Sequence, residues 1–269
     1  MSSETLDIVG MPRGGPNASW LDRRLWTERL EYLDRDDVDD LKRKVVQALD
    51  RGGRRRRLGV YGKCARLVLD EVADVATPKI LELGAGLGGL SEKLLEDHAA
   101  AEVTVTDIDP AFVTAISAGD LGSHPRATVR EMDATAIDAA DGSFDLAVFA
   151  LSLHHLPPEK ATRVFAEGTR AAKKLMIIDL RRPPAPVHAM VLAAALPLTR
   201  VVPLVHDGVI SSLRAYSPSA LRVLAQHADP KMTVQFRTRR FGPTVVVASR
   251  PLRPVRTAPR HNAPGAPGR

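Results

Sequence analysis

The sequence predicts a doubly wound α/β domain. It should have a mostly parallel sheet with helices on both faces, a closing C-terminal antiparallel hairpin, an N-terminal helical cap and an inserted helical lid. Three observations carry this. Between Pro78 and Asp179, short apolar runs alternate with amphipathic helical stretches, the order that builds a parallel sheet. At Lys79–Gly89 an apolar strand runs into a glycine-rich turn and then a helix, which brings backbone close to a nucleotide-like ligand. Near the C-terminus, two strand-like runs flank the turn pair Gly242-Pro243.

Taken in order, Met1–Ser19 is rich in Gly, Pro and Ser and is expected to be poorly ordered. Leu21, Leu25, Trp26, Leu30 and Leu33 have helical spacing, predicting a helix over Trp20–Leu33. Val38, Leu41, Val45, Val46 and Leu49 predict a second, ended by Gly52-Gly53, and Leu58–Val75 a third. The first two read as a cap over the main domain, or alternatively as a dimerisation arm. Strands follow at Lys79–Leu83, Glu102–Thr106, Ala127–Glu131, Phe144–Leu151 and Lys174–Leu180, with helices at Leu90–Asp97, Ala111–Ser117 and Pro158–Ala171. Pro183–Ser212 breaks the rhythm. His188–Leu196 is apolar and helical, but Arg200 and two prolines divide the run before it could span a bilayer, so it reads as a lid. Ser217-Pro218 caps a helix to Ala228, and strands at Lys231–Arg239 and Thr244–Ser249 close the domain. The implied organisation is 1–57 N-terminus and cap, 58–250 cofactor-binding domain with the lid at 183–215, and 251–269 a disordered basic tail.

With 269 residues, 44% of them hydrophobic, the chain can bury one sizeable core. The single cysteine, Cys64, allows no internal disulfide and no thiolate cluster for zinc. It also suits a reducing, cytoplasmic setting, and the first residues lack the pattern of a secretory signal. The net charge of +6 is concentrated in Arg51, Arg54–Arg57 and the acid-free stretch Pro251–Arg269. No aromatic residues interleave with these arginines to stack on bases, so nucleic acid is disfavoured as a partner.

Ligands of open α/β sheets bind beyond the carboxyl ends of the strands. Those ends collect Gly84–Gly88, Asp107, Asp133-Ala134, Ala150–His155 and Asp179–Arg181. A carboxylate at Asp107 can accept both hydroxyls of a ribose. Asp133 can accept from an exocyclic adenine amine while the Ala134 amide meets a ring nitrogen. Asp109, just before Pro110, reads as a helix cap. Gly84, Gly86 and Gly89 also fit the dinucleotide fingerprint G-x-G-x-x-G, so the glycines alone leave two cofactors open.

Lys79–Gly89, Val103–Pro110, Glu131–Ala134 and Ser143–Leu156 together resemble the successive motifs of the class I S-adenosylmethionine-dependent methyltransferases. The resemblance covers about Pro78–Arg182, and Glu82, two residues before the first glycine, separates it from dehydrogenases. The Ser143-Phe-Asp-Leu-Ala-Val-Phe-Ala-Leu-Ser-Leu-His-His-Leu156 segment is similar to small-molecule members, and Asp179-Leu-Arg-Arg with Tyr216-Ser-Pro more loosely to those of quinone and polyketide pathways. The resemblance implies a Rossmann-like, seven-stranded methyltransferase sheet binding S-adenosylmethionine, with S-adenosylhomocysteine as product. By analogy Glu82 orients the methionine end. Gly84, Ala85, Gly86 and Gly88 line the cofactor, Asp107 and Ile108 hold the ribose, and Asp133-Ala134 read adenine. Leu151 and Ser152 border the sulfonium, and Tyr61 and Arg66 close over the carboxylate.

The implied reaction is O- or C-methylation of a small apolar or phenolic, quinone-like metabolite by in-line displacement. A phenol or enolisable carbon must also lose a proton, and His155, His206 and His154 are the candidate bases. Two adjacent histidines without an evident third carboxylate ligand predict no metal. An RNA methyltransferase gripping phosphate through the basic termini, a cofactor-binding but non-catalytic partner protein, and last a nicotinamide-dependent oxidoreductase are the alternatives. A homodimer stays open.

Overall fold

The computed structural model describes residues 7–35, 37–53, 59–237 and 242–251. The basic run Arg54–Arg57, the end of the strand expected over Lys231–Arg239 and nearly all of the basic tail lie outside them.

A seven-stranded sheet organises the chain. Its strands are β1 (Lys79–Leu83), β2 (Glu102–Asp107), β3 (Ala127–Glu131), β4 (Phe144–Ala150), β5 (Ala172–Asp179), β6 (Thr233–Phe236) and β7 (Thr244–Ser249), in the order β3-β2-β1-β4-β5-β7-β6. The first five run parallel, while β7 is antiparallel to both β5 and β6. The chain winds from β1 outward to β3, then returns to the other side of β1 at β4. The point where the winding reverses therefore lies between β1 and β4, where an open α/β sheet forms its ligand crevice.

Both faces are covered because the strands are apolar at successive positions, and successive side chains point to opposite faces. Leu81, Leu83, Ala147, Phe149, Leu175 and Ile177 face one core, with α7 (Pro158–Ala171) and α10 (Pro218–Ala228). Ile80, Val103, Val105, Leu146, Val148 and Met176 face the other, with α3 (Val60–Glu71) and α4 (Gly89–Asp97). Glu82 falls on the second face by the same alternation and lies under α4, where Ser91 Oγ donates to it. The short helices α5 (Pro110–Ala118) and α6 (Asp120–Ser123) link β2 to β3, and Asp109 caps α5 by accepting from Ala111 N at 2.9 Å. Likewise Ser217 caps α10 by accepting from Ala220 N at 3.2 Å.

The N-terminal part departs from its local pattern. The helix expected over Trp20–Leu33 is only α1 (Trp20–Arg24), followed by extended chain and a 3-10 turn at Tyr32–Asp34. The buried Arg182 side chain takes the carbonyls of Asp22 (3.1 Å) and Leu25 (2.7 Å), which an α-helix would have used internally. Tertiary partners thus override a marginal local helix. The second helix forms, as α2 (Asp39–Gly53). Residues 7–19, expected to be poorly ordered, are packed: Ile8 and Met11 are buried in the first core, and Ser217 N donates to Arg13 O at 2.9 Å.

Between β5 and α10 lies a helical insertion of α8 (Ala185–Ala195), a 3-10 turn (Leu196–Arg200) and α9 (Pro203–Arg214). The apolar run His188–Leu196 predicts α8, whereas Pro203, which interrupts the apolar pattern in the sequence, begins a full helix. Proline is well placed there, since a first helical residue needs no internal N–H partner.

Candidate active site

At the carboxyl ends of the strands opens a cavity of about 760 Å³. Its floor is the turn after β1. Gly84 and Gly86 adopt φ of +61° and +58°, conformations that suit glycine. A Cβ on Gly86 would meet nothing within 4 Å, so this backbone is bare toward open space, the cradle a ligand needs for close approach. Asp107, at the end of β2, braces the turn: its Oδ2 accepts from Gly86 N at 2.8 Å and its Oδ1 from Asp109 N at 3.0 Å. Burial raises the Asp107 carboxyl, and these backbone N–H groups partly offset that. Burial also pushes Glu82 up to about 7, against the Ser91 hydrogen bond.

Glu82, Gly84, Ala85, Gly86, Asp107, Ile108, Asp133, Ala134, Tyr61, Leu151 and Ser152 all line this one cavity. Asp133 Oδ1 accepts from the amide and hydroxyl of Thr135, at 2.7 and 2.8 Å, which fixes its carboxylate. β4 ends at Ala150 rather than Leu151, because Leu151 turns to φ +57°. A left-handed leucine is strained, and here it brings the chain round so that Ser152 Oγ faces Gly84 O at 3.4 Å across the switch point.

Two cofactor-lining expectations are corrected. Gly88 does not line the cavity; it precedes α4 at φ +76°, and a Cβ there would come within 2.5 Å of Leu121 Cδ1. Its glycine serves helix packing. Arg66 is exposed on α3 and also lies outside the cavity lining.

The same cavity is also lined by a cluster of histidines and carboxylates. His154 and His155 sit on a 3-10 turn (Leu153–His155) after β4 and line the cavity. His154 is buried, with Nδ1 2.7 Å from Asp179 Oδ1 and its amide donating to Asp179 Oδ2 at 2.9 Å. His155 Nδ1 lies 3.1 Å from Asp34 Oδ2, an oxygen that also accepts from Arg214 Nη1 at 2.9 Å. Each ring thus has one nitrogen held by a carboxylate, which leaves Nε2 for chemistry. Both Nε2 atoms approach the buried Glu31, at 3.8 Å from His154 and 4.0 Å from His155. Ser211 Oγ donates to Glu31 Oε1 at 2.7 Å.

Electrostatically the cluster is poised to hold and move a proton. Burial raises Glu31, opposed by His155 and His154. Burial alone would lower His155, but Asp34 and Glu31 outweigh it and raise the ring. Asp34, despite burial, is brought down to about 2 by His155 and Arg214. Asp34 therefore stays ionised beside the ring, the arrangement that steadies an imidazolium.

Glu31 falls in the stretch whose spacing predicts a helix and Asp34 just after it, and both reach the site only through the fold. Asp179 carried a signal as the end of β5. The third histidine, His206, is corrected: it lies outside the cavity lining, its ring stacked on Tyr32 at 4.3 Å and its Nδ1 2.9 Å from Asp207 Oδ1. The argument that no carboxylate accompanies His154 and His155 is also corrected. Ligand atoms of Glu31, His154 and His155 lie within 4.8 Å of one another, a set that could hold a divalent cation.

Residues 80–174 match the family model described as a methyltransferase domain, which runs from β1 into β5. That stretch has the family-model match and the strand order of a methyltransferase domain. Solved structures of this fold include human N-acetylserotonin methyltransferase in complex with S-adenosylmethionine, 18% identical over 81% of this chain and 57% of that one, with a TM-score of 0.55. A protein from Nostoc punctiforme is 14% identical over 83% of this chain and 64% of that one, with a TM-score of 0.57. Synechocystis magnesium protoporphyrin IX methyltransferase, with bound S-adenosylhomocysteine, is 18% identical over 86% of this chain and 93% of that one, with a TM-score of 0.50. The chain thus spans less than two thirds of the first two proteins. No curated protein matches it in sequence. Among the described residues, no helix is long and apolar enough to cross a membrane.

Proposed function

We propose that this chain transfers the methyl group of S-adenosylmethionine to an oxygen or carbon of a small apolar or phenolic, quinone-like metabolite. The observation that carries the reading is one cavity lined both by a bare glycine turn with Asp107 and by two histidines with their carboxylates. The residues suit the cofactor on structural grounds. The open space above Gly86 admits a ligand against the backbone, and two strand-end carboxylates, Asp107 and Asp133, offer acceptors for the hydroxyls and amine of an adenosine.

The cofactor supplies a methyl group on a sulfonium, already activated for displacement. What remains for the protein is alignment and proton management. Holding the acceptor in line with the methyl can contribute about 7–11 kcal/mol by proximity and orientation. Leu151 and Ser152, at the switch point, are the residues beside which that line would run. His155 takes the acceptor's proton at Nε2, held in orientation by Asp34 at Nδ1, and Glu31 stabilises the resulting positive ring. His154, more deeply buried and fixed by Asp179, is the second candidate. The apolar cavity wall, with Val46, Leu49, Val60, Phe112 and Leu204, favours an acceptor with a hydrophobic body.

Isothermal titration with S-adenosylmethionine and S-adenosylhomocysteine is the first measurement, with saturable heat for both as the expected result. Methyl-labelled cofactor is then offered with a panel of phenols, catechols and hydroquinones of increasing chain length. Absence of heat at high cofactor concentration would overturn the reading.

A further inference from the structure

The helical insertion carries an anomaly that methyl transfer does not explain. Helix α8 is apolar on its outward side. Only His188 and Leu192, one turn apart, are buried and tie it to the protein, with His188 Nε2 2.7 Å from Ser212 Oγ. Val187, Met190, Val191 and Ala194 follow the i, i+3, i+4, i+7 rule of a single face, and that face is exposed, Met190 at 65%. The exposed apolar surface continues through Leu196 and Leu198 of the 3-10 turn to Val201, exposed at 72%. A helix stripe of this kind normally points inward, and a contiguous exposed apolar surface marks a place that meets something.

Three features say what it meets. From Leu180 to His206 there is no acidic residue, while Arg200 lies exposed within the apolar stretch. Helix α1 packs beside α8 and brings an exposed tryptophan, Trp20, with Arg24 over its ring at 5.6 Å. Apolar side chains bordered by an indole and exposed arginines, with Asp22 of α1 turned in onto the buried Arg182, match the boundary between acyl chains and anionic headgroups. Leu204 is at once 42% exposed and part of the cavity lining, so the apolar surface runs to the cavity itself. A second copy meeting this surface face to face would bring the same acid-free stretch and offer Arg200 no anion.

We propose that residues 185–204 dock this protein on an anionic lipid surface, and that its methyl acceptor is a molecule dissolved in that bilayer, reaching the cavity past Leu204. The helix lies in the interface without crossing it. The docking stands independently of methyl transfer; the identity of the acceptor rests on the methyltransferase reading.

The test is co-sedimentation of the full chain with vesicles of phosphatidylcholine alone and of phosphatidylcholine with phosphatidylglycerol, alongside cofactor titration of the same samples. The wild type should pellet with the anionic vesicles. The double variant Val191→Glu/Val201→Glu, at exposed positions, should lower that partition by more than about tenfold while binding S-adenosylmethionine as before. Arg200→Glu should lower it about fivefold and leave the weaker binding to neutral vesicles alone. If the double variant loses cofactor binding through misfolding, Arg200→Glu decides. Wild type left in the supernatant, or variants that pellet like wild type, would overturn the proposal. So would a wild-type dimer that the double variant splits while vesicles bind neither. Loss of cofactor binding in the wild type would instead strike the methyltransferase reading and leave the vesicle result standing.

Discussion

The two groups of residues that line the cavity are built in different ways. The glycine floor is local: Gly84, Gly86, Asp107 and Asp133 are all at the ends of neighbouring parallel strands. The histidine cluster is assembled across the chain. Glu31 and Asp34 come from the N-terminal segment, His154 and His155 from the turn after β4, Asp179 from β5, and Ser211 and Arg214 from α9. A floor made from the sheet is rigid before anything binds. A roof made from distant segments can be retuned without disturbing the floor, which suits a fold that keeps one cofactor and exchanges acceptors.

If the two groups are separable, the largest effect should come from the roof and touch turnover alone. Glu31→Gln keeps the side chain's shape and its hydrogen bond to Ser211 but removes the charge opposite both imidazoles. Turnover on an acceptor found by the panel is expected to fall by up to about 10²–10⁴-fold, the whole range of general-base assistance, because the protonated His155 ring loses the charge that stabilises it. Its rising pH limb should shift as well, which a merely structural glutamate would not cause. Cofactor affinity by titration should stay unchanged. A parallel loss of turnover and cofactor binding would break the comparison and make the cavity a single cooperative unit.

Asp107 tests the floor in the same way, with a smaller effect. Asp107→Ala removes the acceptor for Gly86 N and the carboxylate offered to the ligand, so affinity for S-adenosylmethionine should weaken about a hundredfold, two charge-assisted hydrogen bonds at about 1.5 kcal/mol each. Asp107→Asn, which can still accept from Gly86, should fall between the two. Equal affinity for wild type and Asp107→Ala would remove Asp107 from the cofactor site.

This contrast also explains what could be read from the sequence. The alternation of apolar runs with helices reveals the sheet, since period and length are local properties, and the glycine spacing with Glu82 and Asp107 reveals the floor. Gly88 misled because a glycine needed for a neighbouring Leu121 looks the same, in one dimension, as one needed for a ligand. Glu31 and Asp34 were illegible for a different reason. The leucine spacing suits a helix, but Arg182 holds the Asp22 and Leu25 carbonyls, Asp207 takes the Tyr32 amide, and the chain beyond Arg24 brings both acids to the histidines instead. His206 lay in the right segment, but its ring turned to Tyr32. Side-chain direction in an insertion depends on packing that no spacing encodes.

The smallest effect concerns a floor residue whose role the sequence suggested but whose charge it could not. Glu82 is buried and titrates near 7. A carboxyl raised to this value is mostly protonated below pH 7 and mostly ionised above. If it orients the methionine end, the ligand's ammonium favours the ionised form, so binding below 7 must expel a proton. Affinity for S-adenosylmethionine should then be flat above about pH 7.5 and weaken by about tenfold per pH unit below 7. Titrations in two buffers of different ionisation heat should show close to one proton released near pH 6 and almost none near pH 8. Glu82→Gln should abolish that slope and bind more weakly at the upper pH, because a neutral amide offers the ammonium less. A wild-type affinity that ignores pH across this range would reduce Glu82 to a packing partner of Ser91, and the cofactor's amino end would have to be held from elsewhere in the cavity, with Tyr61, whose ring lies against Gly89, the neighbour to vary next.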